Sequence, residues 1–363
     1  MNQALPAYAD SETKAALLAA GVSGTIYSLV MPESEAALEY LLDGDRHALL
    51  DLYREAWTQK QDALHVEYFD RWLDWSRPVV GIEAGRFPFR YPTAGASEGI
   101  FKLMAEYAAE CRAARVEPSI HMFEGEYEGF PAFADSLRLK VVRHSRHEWR
   151  EAAARIEPLG QVWISQPSAI DGMVWPHFEE FAAALYRAQP SARIVPDLTY
   201  VGSVARDYRI IVDQPNVEAV VFSHSKPFGG YYHRVGGVLA RAVRPSLFGN
   251  RWFKNLLSLA WGTEMMRRHD VHELPRKYRP VQQEAARRCG AALGIELAPA
   301  DVNLLATAPM QADLPPLLQA VGRGSPGERV VRLCVTPAMA SLIDPAMAPT
   351  TAPSLIRSWG EQQ

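Results

Sequence analysis

Two hydrophobic periodicities divide the chain. Up to about residue 75, apolar positions recur at helical spacing between polar interruptions. Glu33-Ser-Glu-Ala-Ala-Leu-Glu-Tyr-Leu-Leu carries such a stripe with Ser34 placed to cap it, and a second helical stretch runs through Ala48-Leu-Leu-Asp-Leu-Tyr-Arg-Glu-Ala-Trp. From about residue 79 short apolar runs alternate with helices. The runs Val79-Val-Gly-Ile, Ser119-Ile-His-Met-Phe, Leu139-Lys-Val-Val, Gln161-Val-Trp-Ile-Ser, Arg193-Ile-Val-Pro-Asp and Val217-Glu-Ala-Val-Val-Phe-Ser predict strands. Helix-like stretches lie between several of them, from Glu98 to Arg115 and from Pro176 to Gln189. Continuously apolar strands alternating with helices predict an α/β fold with a mostly parallel central sheet. In such sheets ligands sit beyond the carboxyl ends of the strands, so chemistry is sought in the loops that follow them.

After about residue 255 the pattern turns helical again, through Ala285 to Leu293, and ends in an Arg329-Val-Val-Arg-Leu-Cys-Val strand between Gly- and Pro-rich turns. The expected organisation is an N-terminal helical segment over residues 1–75, a large α/β domain over 76–255 and a smaller α/β C-terminal domain over 256–363. The N-terminal helices are expected to pack with the smaller domain. No repeat of 20–50 residues and no low-complexity tract interrupts this order.

Composition narrows the partners. The 363 residues are 48% hydrophobic and 22% charged, which suits a globular protein of more than one domain. A net charge of −4, with scattered Lys and Arg, gives no basic surface to neutralise a nucleic-acid backbone. Cys111, Cys289 and Cys334 lie far apart and match neither a disulfide framework nor a CxxC metal site, as expected in a reducing cytosol. The first ten residues lack the basic start and apolar core of a signal peptide. No apolar run approaches the roughly 20 residues that span a bilayer. A cytoplasmic protein that binds neither membrane nor nucleic acid is expected.

Three segments could carry chemistry. In Phe222-Ser-His-Ser-Lys226-Pro-Phe-Gly-Gly-Tyr-Tyr-His-Arg234 an apolar strand ends in two serines and a lysine. A desolvated amine near cationic groups has a depressed pKa, which Schiff-base formation with an aldehyde requires. A strand-end lysine reaching solvent is the alternative. Ser223, Ser225 and Arg234 could clamp a phosphate or could be turn residues and a surface charge. In Tyr91-Pro-Thr-Ala-Gly95-Ala-Ser-Glu-Gly-Ile, small residues lead into a helix start whose free N–H groups favour an anion, with Gly95, Ala96 and Ser97 allowing close approach. In Arg193-Ile-Val-Pro-Asp197-Leu-Thr-Tyr200 an aspartate closes an apolar strand. It calls for a cationic partner, such as a protonated pyridine nitrogen, unless it caps the next turn. Tyr200 could reach a phenolic oxygen on the same ring.

The order of these segments resembles the class I/II aminotransferases, pyridoxal-phosphate enzymes of fold type I, over roughly residues 90–240. Gly95-Ala-Ser-Glu-Gly-Ile resembles the cofactor loop of histidinol-phosphate aminotransferases. The resemblance implies that Lys226 bonds pyridoxal 5'-phosphate and shuttles the substrate proton, that Asp197 pairs with the pyridine nitrogen, and that Tyr200 hydrogen-bonds the ring oxygen. It puts Gly95, Ala96, Ser97, Ser223, Ser225 and Arg234 around the phosphate and Tyr127 against the ring face. Val331-Arg332-Leu-Cys-Val-Thr-Pro resembles the strand whose arginine grips the substrate carboxylate. Arg329 competes for this role, but strand alternation sends it to the opposite face. A homodimer with its site near the interface is implied, with Tyr68 a candidate to reach a partner's phosphate.

Two departures stand out. The family's Asn-Pro-x-Asn-Pro-Thr-Gly is Gln166-Pro-Ser-Ala-Ile-Asp-Gly172 here, with Ala169 where the second Asn contacts the ring oxygen. The N-terminal segment also lacks the Asn-containing start of the histidinol-phosphate group. The expected activity is amino transfer on an amino acid or related carboxylate-bearing amine. The alternative is elimination or replacement, cyclisation, decarboxylation or oxidation with the same cofactor. A non-catalytic member of the fold would have no need of Lys226 and Asp197. No metal is expected: His144 with His147 and His269 with His272 are spaced three apart and read as solvated loop or helix residues.

Overall fold

Hydrophobic β-branched runs five residues long form most of the strands. A computed structural model describes residues 11–44, 46–58 and 65–347; the N-terminal stretch read above for a signal peptide lies outside the described residues. The strands are β1 (Val80–Gly81), β2 (Phe89–Thr93), β3 (Ser119–Phe123), β4 (Lys140–His144), β5 (Gln161–Ser165), β6 (Arg193–Asp197), β7 (Ile210–Ile211), β8 (Ala219–Ser223), β9 (Gly236–Ala240), β10 (Ala298–Pro299), β11 (Leu305–Pro309), β12 (Gly322–Arg323) and β13 (Val330–Cys334).

Seven of them make the central sheet in the order β2-β9-β8-β6-β5-β3-β4. The pairs from β8 to β4 are parallel, and β9 alone runs against both its neighbours. All residues of β3, β5, β8 and β9 are buried, because helices cover both faces. On one face, Ile100, Leu103, Met104 and Tyr107 of the helix Ala96–Ala113 meet Ile120, Trp163, Val221 and Val238. On the other, Phe178, Phe181 and Leu185 of the helix Phe178–Ala188 join Val162, Ile164 and Ile194. Each such side chain contributes roughly 1.5–3 kcal/mol of burial.

Several expectations are corrected here. The apolar run at 79–82 does not enter the central sheet; β1 pairs with β7 as a separate two-stranded parallel ribbon. Two strands of the central sheet lack an alternating or continuous apolar signal. One is β2, where Pro92 is tolerated because the strand lies at the sheet edge. The other is β9, which opens on Gly236-Gly237. A Cβ at Gly236 would lie 2.3 Å from the Phe222 carbonyl oxygen, and one at Gly237 within 2.7 Å of the Phe69 and Phe222 rings. Ser34 does not cap its helix: the helix Pro32–Glu39 starts on Met31 with Pro32 in its first turn, and Ser34 lies inside.

A second sheet, β10-β11-β13-β12, is antiparallel throughout. Ser23 exchanges backbone hydrogen bonds of 2.9 and 2.8 Å with Cys334 of β13, which fixes where the segment that follows Ser23 begins. Farther along, the helix Val66–Ser76 lies on the central sheet, where Trp72 stacks on Phe222 with ring centroids 4.2 Å apart.

Candidate active site

The strands β2, β3, β5, β6 and β8 all run the same way, so the loops after them gather at one end of the sheet. There a cavity of about 210 Å³ is lined by Thr25, Ile26, Ala96, Ser97, Tyr127, Ala169, Asp197, Thr199, Tyr200, Ser223, Ser225, Lys226, Tyr231 and Arg234. Nine of the eleven candidate residues named from the sequence therefore share this one lining; Gly95 and Arg332 lie just behind it.

Lys226 follows β8, and its Nζ donates to the Ile26 carbonyl at 2.5 Å. Burial depresses the amine from its ordinary value to about 8, against a small opposing influence of Cys334 and with help from the positive charges of Arg332 and Arg234. At pH 7 roughly a tenth of such amines are neutral, against well under a thousandth at the ordinary value. Asp197, the last residue of β6, is 6% exposed, and burial raises its carboxyl to about 6. Thr199 offsets part of that cost, donating to Oδ1 from its backbone N (3.0 Å) and its Oγ1 (2.5 Å). Asp197 forms no ion pair among the described residues. It thus both caps its turn and lines the cavity. Burial also raises the phenol of Tyr200, which keeps it a donor.

One end of the cavity is built from a helix start and the side chains of Ser97, Ser223, Ser225 and Arg234. Gly95 precedes the helix Ala96–Ala113 at φ 84°, and Glu98 turns back to accept from the Ala94 N–H at 2.6 Å. A Cβ at Gly95 would lie 2.9 Å from Arg234 Nη2 and displace that guanidinium, and a φ of 84° strains any residue other than glycine. Arg234 holds its place through Nη2 to the Ala94 carbonyl (2.7 Å), with its own backbone at φ 50°. Ser223 and Ser225 have hydroxyls 2.9 Å apart, and Tyr127 OH lies 3.3 Å from Ser97 Oγ.

At the other end Arg332 is 1% exposed and donates through Nη1 to the Ala169 carbonyl (2.7 Å) and through Nη2 to the Gly24 carbonyl (3.0 Å). Glu128 lies 3.8 Å from Nη2 and pairs closely with Arg323. Arg329 is exposed and precedes β13, outside the sheet. Tyr68 is buried at 1% exposure against Phe222 and His224. It therefore points into the core of its own chain rather than toward a second copy. His144 is not on a loop or helix: it closes β4, half-buried, and stacks on His121, its Nε2 3.0 Å from His121 Nδ1. His121 in turn meets Glu157 at 3.0 Å. No group of three or more side chains suited to a metal ion occurs among the described residues.

The sequence reading missed Gly24, Thr25, Ile26, Glu126, Ser165, Thr199 and Tyr231. Thr199 and Glu126 stand within or beside motifs already singled out, and an Asp-x-Thr turn was the available signal for Thr199. Residues 24–26 carried no signal, since they act through main-chain atoms and arrive from a segment 200 residues away from Lys226.

No family model and no curated protein sequence matches the chain. Solved structures do match along most of its length. A methionine aminotransferase from Escherichia coli superposes with a TM-score of 0.61 at 14% identity, over 94% of this chain and 97% of that one. The fold is that of the aminotransferases. A histidinol-phosphate aminotransferase from Sinorhizobium meliloti gives 0.56 at 15% identity, over 84% and 88%. A pyridoxal-phosphate-bound C–S lyase from Staphylococcus hominis gives 0.58 at 12% identity, over 83% and 87%. The α/β class with a mostly parallel central sheet is thus the fold type I arrangement expected from the sequence. Among the described residues no helix is long and apolar enough to cross a membrane.

Proposed function

We propose that this chain is a pyridoxal 5'-phosphate-dependent aminotransferase acting on an amino acid or a related carboxylate-bearing amine. One observation carries the reading: a pKa-depressed amine, a buried carboxylate without an ion pair and an anion cradle line a single cavity. These residues fit the cofactor. A protonated pyridine nitrogen would neutralise Asp197, whose carboxyl is costly to ionise alone. Ala96, Ser97, Ser223, Ser225, Arg234 and the helix start opened by Gly95 would hold the phosphate. Tyr127 would cover the ring face, and Tyr200 would donate to the ring oxygen.

When bound, the cofactor supplies an electron sink for the carbanion left by loss of the substrate α-proton. Lys226 Nζ takes that proton and returns it, acting as base and then acid close to neutral pH. Asp197 keeps its partner nitrogen protonated. Arg332 grips the substrate carboxylate through a planar guanidinium, which orients the Cα–H bond. Thr25, Ile26 and Tyr231 close the remaining wall against water. A homodimer in the cytoplasm, with residues 76–255 binding the cofactor and 256–363 as the smaller domain, belongs to the same reading.

Ala169 favours a second reading. It stands where an asparagine side chain would face the ring oxygen, and a C–S lyase shares the fold. Elimination or replacement is therefore the competing outcome, ahead of cyclisation, decarboxylation or oxidation. The test is direct. Added pyridoxal phosphate should give the purified protein a visible absorption band that shifts with amino acids, and Lys226→Ala should abolish it. Amino acids incubated with a panel of keto acids, followed by mass spectrometry, should show amino transfer. Release of ammonia and a keto acid without an acceptor would instead establish elimination.

A further inference from the structure

A buried carboxylate connects to Arg332 without touching the cavity. Glu126 follows β3 and is 4% exposed. Its Oε1 accepts from the Ser165 backbone N–H at 3.2 Å, and its Oε2 accepts from the Ser165 hydroxyl and, at 3.4 Å, from the Tyr127 N–H. The Ser165 hydroxyl accepts in turn from the Ala169 N–H at 2.7 Å. The Ala169 carbonyl, on the other side of the same Cα, accepts from Arg332 Nη1 at 2.7 Å. Glu126, Ser165, Ala169 and Arg332 are all buried, so each link is made away from competing water.

The directions are consistent along the chain of bonds. The Ala169 N–H can only donate, so the Ser165 hydroxyl oxygen accepts from it and the hydroxyl hydrogen is left for Glu126 Oε2. Fixing the N–H on one side of Ala169 and the C=O on the other fixes both backbone dihedrals of a residue that has no side chain to do so. The carbonyl is then aimed at the guanidinium. Outside this line, Arg146 pairs with Asp171 and donates to Ser168 Oγ at 3.1 Å, which anchors the same loop from its solvent side. Arg146 is also the cation nearest in effect to Glu126.

We propose that Glu126 is a positioning residue for carboxylate recognition, acting on Arg332 through Ser165 and the Ala169 backbone. It supplies the orientation that the missing side chain at position 169 cannot. The inference rests on the reading of Lys226 as the cofactor lysine and of Arg332 as the carboxylate-binding group.

The experiment uses the holoenzyme and two trapping reagents, aminooxyacetate, which carries a carboxylate, and methoxyamine, which does not. Both displace Lys226 from the cofactor: a C=N bond to the oxyamine nitrogen forms as the C=N bond to Nζ breaks, the two oxyamine protons pass to the freed lysine amine, and the visible band bleaches. In the wild type aminooxyacetate should react faster than methoxyamine at equal concentration, and Arg332→Ala should erase that advantage. In Glu126→Gln the advantage should fall about tenfold, the scale of a displaced orienting group. The methoxyamine rate and the visible band should stay within about twofold. Ser165→Ala, which removes one oxygen from the middle of the relay, should behave alike and decides the matter if Glu126→Gln does not fold. An undiminished advantage in both variants overturns the proposal, as does an equal loss of both reagents' rates, which would mark a general structural role. A wild type that gains no visible band with pyridoxal phosphate fails at the earlier reading, and the inference falls with it. A band without any preference for aminooxyacetate removes Arg332 from carboxylate recognition and overturns the proposal by that route.

Discussion

At the anion end of the cavity the groups come from two short stretches, Gly95–Ser97 and Ser223–Arg234, and they act through side chains and one helix start. At the carboxylate end Arg332 is held by the carbonyls of Gly24 and Ala169, main-chain atoms that reach it from 308 and 163 residues away in sequence. In the proposed function both ends present positive character to an anion, a phosphate at the first and a carboxylate at the second. The first does so with local turn chemistry, in which each residue type has a direct reason. The second does so through Arg332, whose direct holders are main-chain carbonyls that any residue at positions 24 and 169 would supply. An anion site assembled locally should fail piecemeal when mutated. One held through a relay should lose orientation while the charge remains.

The largest effect falls between the two ends. Lys226→Ala should lower turnover by about 10²–10⁴-fold, the span of a positioned acid–base group, measured in single-turnover reactions that also lose the visible band. Asp197→Asn should come next, with turnover down by about 100- to 1,000-fold as a buried charged partner is lost. The same substitution should stabilise the cofactor-free protein above pH 6, where the wild type must hold a buried ionised carboxylate. Opposite signs in the holo and cofactor-free forms, read by calorimetry, are the test.

At the carboxylate end Arg332→Ala should raise KM for the amino acid by about 10- to 100-fold with a smaller change in kcat, as expected for a charged hydrogen bond made in ground and transition state alike. At the anion end Gly95→Ala combines a φ of 84° with a Cβ 2.9 Å from Arg234. Its strain of about 1–2 kcal/mol should weaken cofactor affinity roughly tenfold, measured by equilibrium titration. If Gly95→Ala costs no more than an exposed loop substitution, the local account of this end fails.

The smallest effect is on stability. Burial raises the Glu126 carboxyl to about 7 from an ordinary 4.5. Between these values the folded protein holds a proton that the unfolded chain has lost, so this group's contribution to stability is full below about pH 4.5 and is lost as pH rises through 7. The melting temperature of the cofactor-free protein should therefore fall across that window by a few degrees from this group, and Glu126→Gln should flatten the slope. An unchanged slope would show that Glu126 is already ionised, with Arg146 neutralising it.

Much of the fold was legible because buried parallel strands have continuous apolar sequences. The runs at 119–123, 161–165, 193–197 and 217–223 all became central strands or strand ends. The strands of the central sheet that went unread, β2 and β9, are the two where other constraints overrode that signal. Pro92 needs an edge, and Gly236-Gly237 yields to the close approach of Phe222 and Phe69. The run at 79–82 misled because two apolar residues pair equally well in a side ribbon. Of the site, the order of motifs that resembles the aminotransferases anticipated that Lys226, Asp197, Ser97, Ser223, Ser225 and Arg234 would share one cavity. Tyr68 misled because sequence distance says nothing about which way a ring faces.

The sequence by itself determined the chemistry available: one lysine at the end of an apolar strand, one aspartate at the end of another, and a small-residue helix start, each with intrinsic charge or dipole. Only the tertiary structure decided their working state. The lowered pKa of Lys226 and the raised pKa of Asp197 come from desolvation, a property of everything packed around them. The relay from Glu126 to Arg332 exists only because the loops after β3 and β5 converge: its two side chains stand 39 residues apart in sequence, and its last link is the Ala169 carbonyl, a main-chain atom common to every amino acid.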